Sequence, residues 1–356
     1  MKDEELLQAM TVMRLVNAGR YRDANQLLPT GFPGLQAWIN LQSREIISPT
    51  PGALGDLVCA WTKYYRAEYP DAYDEFSKAA GSSVSWIKAS AWIGMGKVCT
   101  DLGFFADAAL WCSSASCLAR RFEHDDLVAT ANGARGEIFL RSGYPRLAAE
   151  AFSLDMGLLP PSDRYRGRVM CYQAHAYRRL YAYSAAKLAY RTSSQQPGEQ
   201  TAPYAYAGLA MLGTETDDVG LIDEVLHYAE TFRQGVRVHS SIAWIYIGKA
   251  RMLQQCGEPY VEWLLRAKVS LPIEYVFEHI WLDRWISVVK KQAQVVSERA
   301  IALRPFKPHV TYKELLDGYE FDREEVESEL FNEGLASVNW STDLDQLWIQ
   351  RNYFLH

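Results

Sequence analysis

Cysteine is sparse and scattered in this chain, six residues (Cys59, Cys99, Cys112, Cys117, Cys171 and Cys256) with no CxxC spacing among them. Such a set argues against a disulfide framework or a zinc site and reads as small core residues in a reducing cytoplasm. Cys112 and Cys117 are five apart, which turns them to different helix faces and away from a shared metal. Long apolar runs are also missing: none approaches the length needed to span a bilayer. The start, MKDEELLQAM, lacks the basic end, apolar run and small-residue cleavage site of a secretory signal. No membrane partner is expected. Nor is there a strong charge of one sign, because 37 basic and 43 acidic residues leave a net −6, too little to point to nucleic acid. Catalytic signatures are absent too: HExxH, a phosphate loop ending in GK[ST], GxSxG, and GxGxxG after a strand. His227 and His239 are twelve apart, and His279 has no histidine or cysteine one turn away. No catalytic residue, metal or cofactor is expected.

What the chain does have is apolar content, 49% of its residues, enough for a continuous core. Its arrangement is clearest at residues 92–119, WIGMGKVCTDLGFFADAALWCSSASCLA. Trp92, Met95, Gly96 and Cys99 share one helical stripe, a break falls at Gly103, and Phe105, Ala108, Cys112 and Ala115 form a second stripe. The spacing predicts a helical hairpin in which Gly96 and Ala108 permit close approach while Trp92, Phe105 and Leu118 fill the space around the crossing.

This stretch resembles the tetratricopeptide repeat, a helix-turn-helix unit of about 34 residues that stacks into an array. The resemblance implies an all-α, right-handed superhelical α-solenoid acting as a binding scaffold. The pattern recurs along the chain. AGRYRDANQLL places Gly19, Tyr21, Ala24 and Leu28 equivalently, after a helix over about residues 4–18. SPTPGALGD, at 48–56, is expected to be a loop, since Pro49, Pro51, Gly52 and Gly55 exclude a regular helix. Further hairpins carry Ala60, Tyr69, Ala72, Phe76 and Ala79; then Gly136, Gly143, Ala148 and Phe152; then Ala174, Tyr177, Tyr183, Ala186 and Tyr190, where Tyr181 replaces the turn glycine. From Pro203 the match weakens: TETDDVG reads as a longer loop, and the helix at 219–233 lacks a small crossing residue. Trp244, Gly248, Ala267 and Pro272 restore the pattern, and QAQVVSERAIALRPF, with Ala293, Ala300 and Pro305, is its last instance. About eight hairpins are expected in residues 1–305.

Residues 306–356 differ in composition, with eleven acidic against four basic side chains, so this segment carries −7 and the preceding residues +1. It is expected to form a C-terminal capping segment or tail, with two short helices in VTYKELLDGYEFDREEVESELFNEGLASV.

In this family the first helix of each hairpin lines the concave groove. Residues between the packing positions would then face it: Trp61, Tyr64 and Tyr65; Lys97; Glu137 and Arg141; Arg168, His175, Arg178 and Arg179; Lys249. Residues 160–200 alone hold seven basic against two acidic side chains. A partly basic groove with an aromatic wall is expected, suited to an acidic segment of a protein or peptide, since arginine forks onto carboxylates. Solvated repeat faces carry charge in the same way. Tyr177, Tyr183 and Tyr190 occupy packing positions and read as core rather than as a base-stacking platform. The family's lysine and asparagine clamp for a peptide's terminal carboxylate is not found. The leading expectation is therefore a non-catalytic cytoplasmic scaffold, an adaptor, assembly factor or chaperone. The alternative is a peptide-sensing regulator of transcription or signalling, although no helix-turn-helix DNA-binding module is found.

Overall fold

The computed structural model describes residues 11–12, 15–16, 21–28, 33–43, 51–65, 68–159, 163–196, 201–232, 240–271, 279, 282–283 and 285–286. Among these all regular structure is α-helical. Two helices, α1 (Tyr21–Leu27) and α2 (Pro33–Ser43), precede six helical pairs. The pairs are α3 (Ala53–Tyr65) with α4 (Tyr69–Ala80), α5 (Ser85–Leu102) with α6 (Phe105–Arg121), and α7 (Asp125–Arg141) with α8 (Pro145–Leu158). They continue with α9 (Arg164–Arg179) and α10 (Tyr183–Ser194), α11 (Thr201–Glu215) and α12 (Val219–Phe232), and α13 (Ser240–Gln255) and α14 (Val261–Ser270). The expected helix over residues 4–18 lies mostly outside the described residues. The QAQVVSERAIALRPF hairpin, Pro272 and the capping segment 306–356 lie wholly outside them.

The helices fall into two compact units, divided within α9 between Val169 and Met170. In the first unit each helix from α3 to α7 packs on its successor, and the first helices of successive pairs also touch, α3 on α5 and α5 on α7. In the second, α10 packs on α11, α11 on both α12 and α13, and α13 on α14.

The expected crossing of α5 and α6 is present. A methyl group built on Gly96 would lie 2.6 Å from Cys112 Sγ and 3.2 Å from the Ala108 carbonyl oxygen, and Trp92, Phe105 and Leu118 are buried around it. Aromatic rings exploit other glycines similarly: Phe152 lies over Gly136, and Tyr190 over Gly208. The apolar face of each helix is thereby buried against a neighbour, the main source of stability in a helical array.

One turn recurs within the pairs. A residue one or two places past the end of the first helix takes a left-handed conformation: Gly103 (φ 81°), Gly143 (90°), Tyr181 (59°), Asp217 (52°) and Gly257 (73°). The next amide then bonds back across the helix end: Phe104 to the Cys99 carbonyl, Tyr144 to Phe139, Ala182 to Tyr177, Asp218 to Gly213 and Glu258 to Leu253. This satisfies carbonyls that a helix end leaves without partners. Two sequence expectations need correction here. TETDDVG is not a longer loop, because α11 runs to Glu215 and Asp217 adopts the left-handed geometry that a short acidic residue tolerates. Asp218 Oδ1 then accepts the Leu221 amide at 3.0 Å and starts α12. The stretch 48–56 is not loop throughout, since α3 begins at Ala53 and includes Gly55. Gly52 supplies the turn (φ 92°), the Asp56 amide bonds the Gly52 carbonyl at 2.9 Å, and buried Leu57 and Val58 offset the weak helix propensity of one glycine.

Tyr181 alone among these turn residues is both large and non-glycine, and it is 78% exposed. Tyr181→Gly is expected to stabilise the protein by about 0.5–1 kcal/mol by removing left-handed strain. Urea midpoints measure this. A loss of stability would show that the edge contact of Tyr181 with the Tyr183 ring, 6.1 Å between centroids, outweighs the strain.

Candidate functional site

In the first unit the turns at Gly103 and Gly143 bring equivalent positions of α5 and α7 level with each other. Lys97 and Asp101 stand one helical turn apart on α5, as do Glu137 and Arg141 on α7. They meet as two pairs across the helices, Lys97 Nζ to Glu137 Oε1 at 2.9 Å and Arg141 Nη1 to Asp101 Oδ1 at 2.6 Å. Tyr64 on α3 adds a third rung, its hydroxyl donating to Asp101 Oδ2 at 2.7 Å. Asp101 and Glu137 are each 7% exposed. Burial pushes the Glu137 carboxyl up, but Lys97, Arg168 and Arg141 more than offset this and hold it below its ordinary range. Burial and the neighbouring Asp101 keep Tyr64 protonated, so it remains a donor.

The second unit carries its own cluster. Arg178, 1% exposed, forms an ion pair with Glu215, the last residue of α11. Arg179 and Arg251 also bear on that carboxylate. Burial nevertheless keeps the Glu215 carboxyl above its ordinary range. Arg251 is pushed down by burial, drawn up by Glu215 and pushed down again by Arg178. Arg178 is therefore paired directly with this half-buried carboxylate, and Arg179 and Arg251 contribute to the field it feels.

The sequence-derived groove residues are thus distributed unevenly. Lys97, Arg141 and Tyr64 join one network, with Arg168 adding to the field at Glu137. Arg178 and Arg179 belong to the other cluster. Lys249 lies 3.5 Å from Asp223. Trp61 is buried, edge-on to Phe76 at 5.0 Å and to Tyr64 at 5.5 Å between centroids, so it is a core residue of the α3–α4 pair. His175 is interior as well, 1% exposed, with Nδ1 2.5 Å from the Tyr190 hydroxyl and Nε2 3.8 Å from Cys171 Sγ. Burial, with Arg178 nearby, lowers its basicity and keeps it neutral. Tyr190 is buried, and Tyr177 and Tyr183 pack against the same core, as their spacing predicts. The side chain of Tyr65 lies outside the described residues.

Asp101, Glu215 and Arg251 are charged partners that the sequence reading did not assign to the site. For Asp101 and Glu215 the signal is register: like Arg141 and Arg179, each stands two residues before a left-handed turn residue. Asp155 on α8 escaped notice as well. It is 1% exposed, its Oδ2 would lie 2.7 Å from a methyl group built on Gly133, and Oδ1 has no hydrogen-bond partner among the described residues. Burial, with Asp163 nearby, pushes its carboxyl up to about 8 against the weaker pull of Lys97 and Arg135. Among the described residues no group of His, Cys, Asp and Glu could hold a metal ion, and no helix is long and apolar enough to cross a membrane.

No family model matches the chain. No curated protein matches it by sequence. Among solved structures it is similar to a Rap protein complexed with competence and sporulation factor, with a TM-score of 0.51, 10% identity, and coverage of 82% of this chain and 98% of that one. At this identity the likeness is one of fold, and it agrees with an all-helical, tetratricopeptide-like repeat architecture.

Proposed function

We propose that the chain is a non-catalytic scaffold that binds another protein or peptide through the first helices of its pairs, with basic side chains there receiving an acidic segment. The observation that carries this reading is the basic composition of residues 160–200, seven basic against two acidic side chains, which surrounds the ion pair of buried Arg178 with Glu215. By contrast, the Lys97–Glu137 and Arg141–Asp101 pairs of the first unit are matched one to one. They read as structural rungs that keep adjacent pairs in register. The similar fold was solved as a complex with competence and sporulation factor, which supports a partner-binding role for an array of this kind. In this reading residues 1–305 form a right-handed superhelix of about eight hairpins, and residues 306–356, carrying −7, form a capping segment.

Fluorescence anisotropy tests the reading. The probe is a labelled peptide of glutamate and leucine, compared with the same peptide carrying glutamine for glutamate. The glutamate form is expected to bind at least about fivefold tighter, corresponding to one charge-assisted contact, and to weaken with added salt. Equal binding of the two peptides by the wild-type chain and by a Glu215→Gln variant alike would overturn the acidic-partner reading.

A further inference from the structure

We infer that the acidic segment 306–356 lies over the outward face of α6, in the first unit. This rests on the capping reading above and names the face that is capped. Residues 108–119 of α6, AALWCSSASCLA, run for twelve positions without a charge, so the sequence marks no side of the helix there for solvent. The other second helices, α4, α8, α10, α12 and α14, all carry charged side chains along their length. Burial divides them in the same way. α6 buries twelve residues, Ser113, Ser114, Ser116 and Cys117 among them, whereas α4 and α8 bury four each and α10 and α14 three each.

The described neighbours of α6 leave one side to be accounted for. α5 lies against Ala108, Trp111 and Cys112, whose atoms a methyl group on Gly96 would meet, and α7 packs along α6 as well. At about 100° per residue, Ser113, Ser114 and Cys117 fall on the side opposite those three. They are nevertheless 0%, 0% and 2% exposed. Among the described helices α5 and α7 are the ones that pack closely on α6, and the burial is that of the single chain, so the cover is a further stretch of the same chain. Residues 306–356 suit it. Pro308–Arg351 falls in the same compact unit as α6. Residues 310–338 are numerous enough to run the length of this 17-residue helix, and Leu315, Leu316, Phe331 and Trp340 supply apolar side chains. Small residues on α6 let a second helix come close. The exposed Arg120 and Arg121 that end α6 attract a segment carrying −7.

Two measurements on the full chain test this. The first is iodoacetamide labelling under native conditions, read at each cysteine by mass spectrometry. In the wild type, Cys117 is expected to react about 100-fold more slowly than exposed Cys256, as slowly as Cys112 beneath α5. Phe331→Asp combined with Trp340→Asp is expected to speed Cys117 labelling at least about tenfold and to leave Cys112 protected, which shows that the hairpin is still folded. The second measurement places photoreactive benzoylphenylalanine at Phe331 or at Trp340, keeping an aromatic ring there. The expected cross-link falls within residues 105–121. Should both cysteines open together in the double variant, the cross-link decides alone. Rapid labelling of Cys117 in the wild type would show an open face and overturn the inference. Cross-links to helices other than α6 would overturn it too, while leaving a capping role for the segment in place. No cross-link to any residue before 306 would overturn both. Neither measurement involves the glutamate and leucine peptide, so these outcomes are separate from those that bear on the acidic partner.

Discussion

Asp155→Asn is expected to abolish a pH dependence of stability that runs opposite to ordinary carboxylate behaviour. In the folded chain the Asp155 carboxyl is pushed up to about 8 by burial and by Asp163, whereas in the unfolded chain it titrates near its ordinary value of about 3.9. Between these values the folded state holds a proton that the unfolded state has lost. Stability from this residue is therefore complete below about pH 4, falls as pH rises to about 8 and levels off above. At about 1.4 kcal/mol per pH unit, the loss at pH 8 is on the order of 3–5 kcal/mol. His175 acts in the other direction, since its depressed basicity costs stability as pH falls below about 6.5. The informative quantity is thus the difference between wild type and variant, in which His175 cancels. Urea unfolding across pH 5 to 8 is expected to show the Asp155→Asn advantage growing with pH. A constant difference would mean that Asp155 is ionised in the fold.

Gly96→Leu is expected to cost about 3 kcal/mol or more and to lower the melting temperature on the order of 10 °C. The first carbon of any side chain at Gly96 meets Cys112 Sγ at 2.6 Å and the Ala108 carbonyl at 3.2 Å, and the carbonyl belongs to a helix that cannot move without disturbing Trp92 and Phe105. Gly96→Ala provides the graded version. Combined with Cys112→Ala, which removes the nearer obstacle, it is expected to cost less than the sum of the two single changes, because the residues are in contact. An unchanged melting temperature for Gly96→Leu would place the crossing elsewhere.

The α5–α6 crossing was legible in the sequence because every element of it is local: two stripes, one break and small residues at Gly96 and Ala108. At Gly55 and in TETDDVG the composition favours turns, but packing overrides it. Buried Leu57 and Val58 carry α3 through a glycine, and acidic Asp217 takes a backbone conformation that glycine supplies elsewhere. The charged residues were legible as types but not as partners. Glu215 lies 37 residues from Arg178, and the two become neighbours only once the intervening turns set the register between α9 and α11. Asp155 was invisible for a simpler reason. In SLDMGLL the pattern offers Leu154 to the core and Asp155 to solvent, yet Leu154 is exposed and Asp155 is interior, in the space left by the missing side chain of Gly133.

The paired rungs between α5 and α7 also constrain how the sequence can drift. Reversing the sign at Lys97 or Arg141 alone would set like charges against each other in a region where neither carboxylate partner has much water to turn to. Reversal at both members of a pair restores the attraction. Among descendants of this chain, positions 97 and 137 are therefore expected to change sign together, and positions 101 and 141 likewise. A lone glycine gained or lost in α5 ahead of these residues would rotate both rungs out of alignment at once, so insertions should accumulate in the connections between helices rather than within them.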